Sequence, residues 1–294
     1  MFEKLEQCPA CGNTTFRNHI ICKDYTVSQE EFAIVQCDKC NLQFTNPRPD
    51  KLNLGKYYQS EDYISHADKT FGLTDIIYKL VRRFTLQQKL KLVSNLNTSK
   101  TMLDYGCGTG YFLKEGQKAK WTIAGIEPNE KARMIANQQL NGIVEESLDL
   151  IPTDNKFGII SLWHVLEHVF DLNTTIEQLV THLDKNGFMV VAVPNPLSYD
   201  ATYYKKYWAA YDLPRHLYHF TPDTLKVVAK KHGLKIVDVI PMKFDAYYVS
   251  LLSEKYKTGS NKYLKSIVTG YKSNSYAKKH DNNYSSLIYI LSKK

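Results

Sequence analysis

Apolar residues recur at intervals of three and four across Leu73–Leu96, at Leu73, Ile76, Ile77, Leu80, Val81 and Phe84 and again at Leu92, Val93 and Leu96. This predicts one amphipathic helix. Past Lys100 the pattern changes to short apolar runs that alternate with helical spacing. Strands are predicted over 101–105, 121–126, 158–163 and 188–193, with helices opening at Tyr111, Glu130 and Asn173 between them. The alternation predicts an α/β chain whose parallel sheet is covered on both faces. Farther on, Thr221-Pro222-Asp223 reads as an N-cap, a proline at the first helical position and an acidic first turn. Residues 235–240 resume the sheet, helical patterns run through Tyr247, Tyr248, Leu251 and Leu252 and through Tyr263, Leu264, Ile267, Val268 and Tyr271, and 285–291 is strand-like.

Upstream of the first helix the periodicity fails and cysteine takes over. Residues 1–46 hold five of the six cysteines, and the stiff Asn46-Pro47-Arg48-Pro49 segment closes them off. The expected organisation is a small module over 1–46, a linker with an aromatic lid and helix over 47–98, and a main domain over 99–294 with an insertion at about 195–220. Cys8 and Cys11, then Cys37 and Cys40, form two C-x-x-C pairs. Each pair wraps two thiolates around one side of a tetrahedral metal, and two pairs close a four-sulfur site with no open position, which points to structural zinc in a ribbon-like module. Cys22 is a spare, expected to be buried. The lid candidates are Tyr57, Tyr58, Tyr63 and His66.

Composition narrows the picture only a little. With 43% hydrophobic and 23% charged residues in 294, a globular chain with a substantial core is expected. The formal charge of +8 falls by two if four thiolates hold one Zn²⁺, to about +6. Only six of the 38 basic residues are arginine and the lysines are scattered, which argues weakly for nucleic acid. No stretch approaches the roughly 18 to 20 apolar residues of a membrane span, and the opening residues lack an apolar signal core. A soluble cytoplasmic protein without membrane contact is the expectation.

The densest chemistry lies at the first strand-to-helix turn. Met102-Leu103-Asp104-Tyr105-Gly106-Cys107-Gly108-Thr109-Gly110-Tyr111-Phe112-Leu113 places an acid at a strand end, three alternate glycines and then an apolar helix. Backbone must turn tightly there and lie against a ligand without Cβ atoms, while the helix N-terminus offers free N–H groups. The dinucleotide spacing G-x-G-x-x-G is not met, which disfavours a nicotinamide enzyme. The stretch resembles motif I of the class I S-adenosylmethionine (SAM) dependent methyltransferases, D-x-G-C-G-x-G, and the resemblance continues through nearly all of the remaining chain. It implies a Rossmann-like, doubly wound, seven-stranded and mostly parallel sheet, and a cofactor floor of Asp104, Gly106, Cys107, Gly108, Gly110, Tyr111 and Phe112. In the same comparison Glu127, beside Pro128, takes the place of the acid that holds both ribose hydroxyls. Ser147 and Leu148 fall on the adenine side, and Trp163 and His164 fall at the tip of the fourth strand. Gly158 stands where the family usually has Asp, so no role carries to that position.

Two histidine-bearing segments supply candidates for the acceptor side. His164, Glu167 and His168 are spaced so that one helical turn would bring them to one face. The spacing resembles an E-x-x-E-H cluster that binds a divalent ion together with a later His in several methyltransferases, with His164 in place of the first Glu. Asp212-Leu213-Pro214-Arg215-His216-Leu217-Tyr218-His219-Phe220-Thr221 resembles the P-R-H-L-x-H-F-[ST] segment of a methyltransferase subgroup often seen with N-terminal zinc modules. The resemblance implies His164, His168, Arg215, His216 and His219 as catalytic candidates and Tyr57, Tyr58, Tyr63, His66, Tyr211, Arg215 and Tyr218 as acceptor contacts. The four-cysteine module and aromatic lid also resemble zinc-containing deoxysugar C-methyltransferases. The expected function is methyl transfer from SAM to an oxygen or carbon of a small metabolite or nucleotide-linked sugar. The alternatives are an RNA or protein methyltransferase, or a catalytically silent module that binds SAM or nucleic acid.

Overall fold

A computed structural model of the chain describes residues 1–58, 73–96 and 99–294. Five strands precede the long helix Leu73–Leu96: β1 (Phe2–Glu3), β2 (Phe16–Lys23), β3 (Glu31–Cys37), β4 (Gln43–Thr45) and β5 (Arg48–Pro49). Eight follow it: β6 (Thr101–Tyr105), β7 (Thr122–Ile126), β8 (Val144–Glu145), β9 (Phe157–Trp163), β10 (Leu183–Pro194), β11 (Tyr218–His219), β12 (Leu234–Pro241) and β13 (Ser286–Lys293). The predicted strands and helix starts after residue 100 appear within a residue or two, except that β10 begins at Leu183, five residues before the expected 188.

A seven-stranded, mostly parallel sheet runs in the order β12, β13, β10, β9, β6, β7, β8, the Rossmann-like arrangement expected. Pairings of β6 with β7 and β9, and of β7 with β8, are parallel. Strand β9 is buried at every position from Phe157 to Leu162, as a central strand covered on both faces requires. The strands at the two ends of the order are an eight-residue β12, half of it exposed, and a two-residue β8, too short to leave much free edge for another chain to join.

The helices start where their caps dictate. Asn129 accepts from the Ala132 N–H to open Glu130–Leu140, and Thr221 and Thr224 form a reciprocal capping box at the start of Pro222–Lys231. The helix Tyr111–Lys118 differs, because its cap is Gly110 at φ 80° and no side chain bonds its first turn.

Two compact units can be separated: Met1–Ser60 with Leu166–Asn173 and Ala192–Tyr289, and Glu61–Val165 with Thr174–Val191 and Ile290–Lys294. Within the first unit an antiparallel sheet joins β2, β3 and β4 to β11, pairing Tyr218 with Phe44 and His219 with Gln43. Its core brings Cys22, Phe32, Ile34 and Tyr57 together with Tyr204, Trp208, Tyr211 and Leu213 of the 195–220 insertion. The cysteine-bearing segment and the insertion thus share one core. Among the described residues no helix is long and apolar enough to cross a membrane.

Candidate functional site

In the second unit, the turn from β6 into Tyr111–Lys118 is held by main chain. The N–H groups of Gly106 and Cys107 both donate to the Ile126 carbonyl, at 2.7 and 3.0 Å, tying the turn to the end of β7. Gly106 has φ 76°, and a Cβ there would lie 2.6 Å from a Val165 methyl, so both conformation and space demand glycine. Gly108 also has a positive φ, but a Cβ there would meet nothing within 4 Å. The bare backbone therefore faces open space. With the adjoining helix start lacking a side-chain cap, its first N–H groups remain available to a ligand.

Glu127, just past β7, accepts the Gly108 N–H on Oε2 and the Asn129 N–H on Oε1, both at 2.8 Å. One donor per oxygen fixes the carboxylate and leaves each oxygen a second lone pair, the acceptor set two vicinal hydroxyls need. Burial raises its pKa above the usual carboxylate range, opposed by those two N–H groups and by Arg133. Asp104 is buried at the end of β6 and accepts from the Ser161 hydroxyl at 2.6 Å, and burial pushes its carboxyl up to about 7. Trp163 packs edge-on against Phe112 with Lys89 over its ring at 4.3 Å, and its buried Nε1–H has no hydrogen-bond partner among the described residues. A bare cradle, an uncapped helix start, an acid with spare lone pairs and an orphaned indole donor together fit an adenosyl group. Leu148 is buried in a short turn that follows Ser147, and Pro128 is exposed beside Glu127.

His164 departs from expectation. Its φ is 57°, and Leu166–His168 is a single 3-10 turn, so the helical spacing supposed for His164, Glu167 and His168 does not apply. In the first unit it is His216 that joins Glu167 and His168. One carboxylate oxygen of Glu167 and one ring nitrogen from each histidine lie within 4.8 Å of one another. His168 Nδ1 lies 3.1 Å from the Arg215 carbonyl and His216 Nδ1 lies 2.9 Å from the Ala210 carbonyl. A carbonyl needs a donor, so each histidine presents an N–H at Nδ1, and a neutral His216 keeps a lone pair on Nε2. The two rings meet edge to face at 4.5 Å. Burial, with His168 next to it, holds His216 neutral, its pKa well below the usual range. Tyr58 places its hydroxyl 3.1 Å from His168 Nδ1.

Arg215 is a clamp. Its Nη2 meets Asp24 at 3.1 Å and Asp212 at 2.6 Å, its Nε bonds Asp212 at 3.0 Å, and its Nη1 bonds the Tyr57 carbonyl at 3.0 Å. Buried and committed to these partners, it has little left for an acceptor, contrary to expectation. Three other expected acceptor contacts are likewise in the interior. Tyr57 donates to Glu30 and packs edge-on to Phe32, Tyr211 stacks edge-on to Trp208 and His219, and Tyr218 bonds Arg48 and the Phe170 carbonyl. His219 is buried and neutral, driven down to about 3, with no hydrogen-bond partner for Nε2 among the described residues. Tyr63 and His66 lie outside the described residues. The residues missed were Asp24, Asp212 and Ser161. Only Asp24 gave a local signal, the Asp-Tyr-Thr-Val-Ser run whose hydroxyls and N–H groups wrap the carboxylate.

The four cysteines of the two C-x-x-C pairs come together. Cys8, Cys11, Cys37 and Cys40 bring their sulfurs within 4.8 Å of one another, with 3.5 Å between Cys8 and Cys40 and 3.6 Å between Cys11 and Cys37. Four soft donors at this separation fit one tetrahedral metal. Cys22 is buried apart from them.

Residues 79–239 match a family model described as a methyltransferase domain. Among curated proteins the chain is similar to the ubiquinone biosynthesis O-methyltransferase of Rickettsia conorii, 21% identical over 140 residues, which are 45% of this chain and 48% of that protein. The match thus spans about half the length of that relative. Among solved structures it is similar to a magnesium protoporphyrin IX methyltransferase from Synechocystis PCC 6803 with bound SAH, at TM-score 0.53 and 15% identity, over 83% of this chain and 100% of that one. It is also similar to a mycolic acid cyclopropane synthase complexed with SAH and CTAB, at TM-score 0.54 and 14% identity, over 84% and 99%. At such identities the two structures speak to the fold alone.

Proposed function

Because this chain belongs to the methyltransferase-domain family, we propose that it is a SAM-dependent methyltransferase acting on an oxygen or carbon of a small-molecule acceptor. The observation that carries the reading is Glu127, fixed by one backbone N–H on each oxygen beside a glycine turn with open space at Gly108. In this reading Asp104, Gly106, Cys107, Gly108, Gly110, Tyr111 and Phe112 form the floor and Glu127 with Pro128 holds the ribose. Ser147, Leu148, Trp163 and His164 border the adenosyl group.

When bound, SAM supplies an electrophilic methyl on a sulfonium, and displacement in line with an acceptor needs alignment, exclusion of water and a place for the acceptor's proton. His168 is the residue proposed to take that proton, with Tyr58 orienting it through its hydroxyl, while His216, held neutral by burial, positions His168 by packing edge to face against its ring. Arg215 and Asp212 act as positioning residues that hold the 210–216 turn. The same Glu167, His168 and His216 atoms also fit a divalent cation, which would polarise an acceptor oxygen. The curated relative's name, an O-methyltransferase of ubiquinone biosynthesis, supports a small-molecule oxygen over RNA or protein. Zinc is the ion proposed for the four cysteines.

The test measures melting temperature with S-adenosylhomocysteine and methyl transfer from labelled SAM to a panel of phenols, quinols and nucleotide sugars. S-adenosylhomocysteine should raise the melting temperature of the wild type, and Glu127→Ala should lose about tenfold or more in affinity, roughly one hydrogen-bonded hydroxyl pair. A folded protein without affinity for either compound overturns the reading. Chelation should lower the melting temperature if the four cysteines hold zinc, and rescue of turnover by Mg²⁺ or Mn²⁺ would assign the second cluster to a cation.

A further inference from the structure

The helix Tyr263–Ala277 is packed inside out. Its buried face consists of Ser266, Thr269, Gly270, Ser273 and Ala277. At Gly270 an added Cβ would lie 2.7 Å from the Tyr247 ring, so small residues let this helix lie tightly on Asp245–Thr258. The apolar residues point the other way: Leu264 is 82% exposed, Ile267 56%, Val268 51% and Tyr271 65%. Their spacing of three, four and seven places them on one stripe. A water-facing helix normally shows the reverse arrangement, and a continuous exposed apolar stripe marks a surface that something covers.

The charge around the stripe says what kind of surface that is. Between Glu254 and Asp281 the chain carries seven lysines and no acidic residue, and all seven are exposed. They fall before, within and after the helix rather than at one focus. Lys265 and Lys272, seven positions apart, line one flank of the stripe, and Lys265 is paired with Glu254 at 3.2 Å. Tyr263 and Tyr276, both exposed, stand near the two ends, ring inward and hydroxyl outward being the habit of tyrosine at a wet apolar boundary. A second copy would set seven like charges against seven, which disfavours self-association. A spread positive field around a narrow apolar stripe with tyrosines at its ends is complementary to an extended anionic, wet-edged plane.

We propose that this face docks on the surface of an anionic lipid bilayer, the helix lying in the headgroup plane with Leu264, Ile267, Val268 and Tyr271 inserted. No helix among the described residues can span a membrane, so the contact is peripheral. The sequence expectation of no membrane contact rested on the lack of a span and did not weigh this arrangement. The inference does not depend on the reaction proposed above.

The experiment is sedimentation of the full chain with vesicles of equal parts phosphatidylglycerol and phosphatidylcholine, and with phosphatidylcholine alone. The wild type should pellet with the mixed vesicles, and binding should fall about tenfold on pure phosphatidylcholine or with added salt. The double variant Leu264→Glu, Ile267→Glu, at exposed positions, should lose binding by a similar factor. Lys272→Glu with Lys279→Glu, which leaves the stripe intact, should weaken it severalfold and serves if the first variant misfolds. Equal pelleting of wild type and both variants, or a wild type left in the supernatant, overturns the proposal. So does a wild-type dimer in velocity sedimentation that the Leu264, Ile267 variant abolishes, since the face would then belong to a second copy.

Discussion

Asp24 and Glu127 are both carboxylates set in turns, and the protein treats them in opposite ways. Asp24 is buried, and its oxygens take N–H groups from Thr26, Val27 and Ser28, two hydroxyls and the Arg215 guanidinium. Burial alone would raise its pKa, but those donors and the cation outweigh it and hold the carboxyl at about 2. Glu127 receives only one N–H on each oxygen, and the neighbouring Arg133 spends its hydrogen bonds on the Glu127 and Pro128 main-chain carbonyls, at 2.7 and 3.0 Å, and on Glu146 at 3.4 Å. Burial wins there, and the pKa rises. A saturated carboxylate is scaffold. One with spare acceptor capacity beside bare main chain is a place for a ligand.

The contrast breaks most readily at Arg215. Arg215→Met removes the cation while leaving Asp24 and Asp212 behind, and should cost about 3–5 kcal/mol in urea unfolding, the penalty for stranding a buried charge. A loss below about 1 kcal/mol would show that the cluster is far wetter than its burial implies.

Acid sharpens it next. His219 is held neutral, its pKa at about 3 instead of the ordinary 6.5. Below 6.5 the unfolded chain takes a proton that the fold refuses, so the contribution is full above that value and is lost as pH falls toward 3. Between about pH 7 and about pH 5 the loss should be about 2 kcal/mol, and in His219→Asn the pH dependence of the unfolding midpoint should flatten by that amount. Asp24 adds to the acid loss only between 3.8 and about 2.

Gly106→Ala tests the floor. A positive φ and a methyl placed 2.6 Å from Val165 should cost roughly 1–3 kcal/mol and should weaken S-adenosylhomocysteine binding in the same titration. The smallest effect is expected at the carboxylate itself. Glu127→Gln relieves a buried charge but turns one acceptor oxygen into an amide NH₂ facing a backbone N–H, so the two effects oppose and stability at neutral pH should change by no more than about 1 kcal/mol, while ligand affinity still falls. A large destabilisation would place Glu127 with Asp24 among the scaffold carboxylates.

Much of the second unit was legible along the chain because its signals are local. The three glycines sit in the turn they form and Asn129 caps the helix that starts one residue on, while Glu127 was legible from its spacing to the glycines although it bonds Gly108 19 positions away. Arg215 was misread as an acceptor contact because its decisive partner, Asp24, is 191 positions away. His216 joined Glu167 and His168 for the same reason, and His164 left the set because a 3-10 turn replaced the helix that the spacing assumed. The pairing of β11 with β4, which merges the cysteine-bearing segment with the insertion, is a two-residue contact with no periodicity to announce it.

Sequence by itself determined the main alternation of strands and helices after residue 100, the two C-x-x-C pairs and the glycine turn, since each depends on side-chain size, φ preference or apolar spacing within a short window. Tertiary structure alone decided which polar groups are satisfied and which way an amphipathic face looks. The stripe from Leu264 to Tyr271 reads the same whether it faces a core or solvent, and only the packing of Ser266, Gly270 and Ser273 against a neighbouring helix turned it outward.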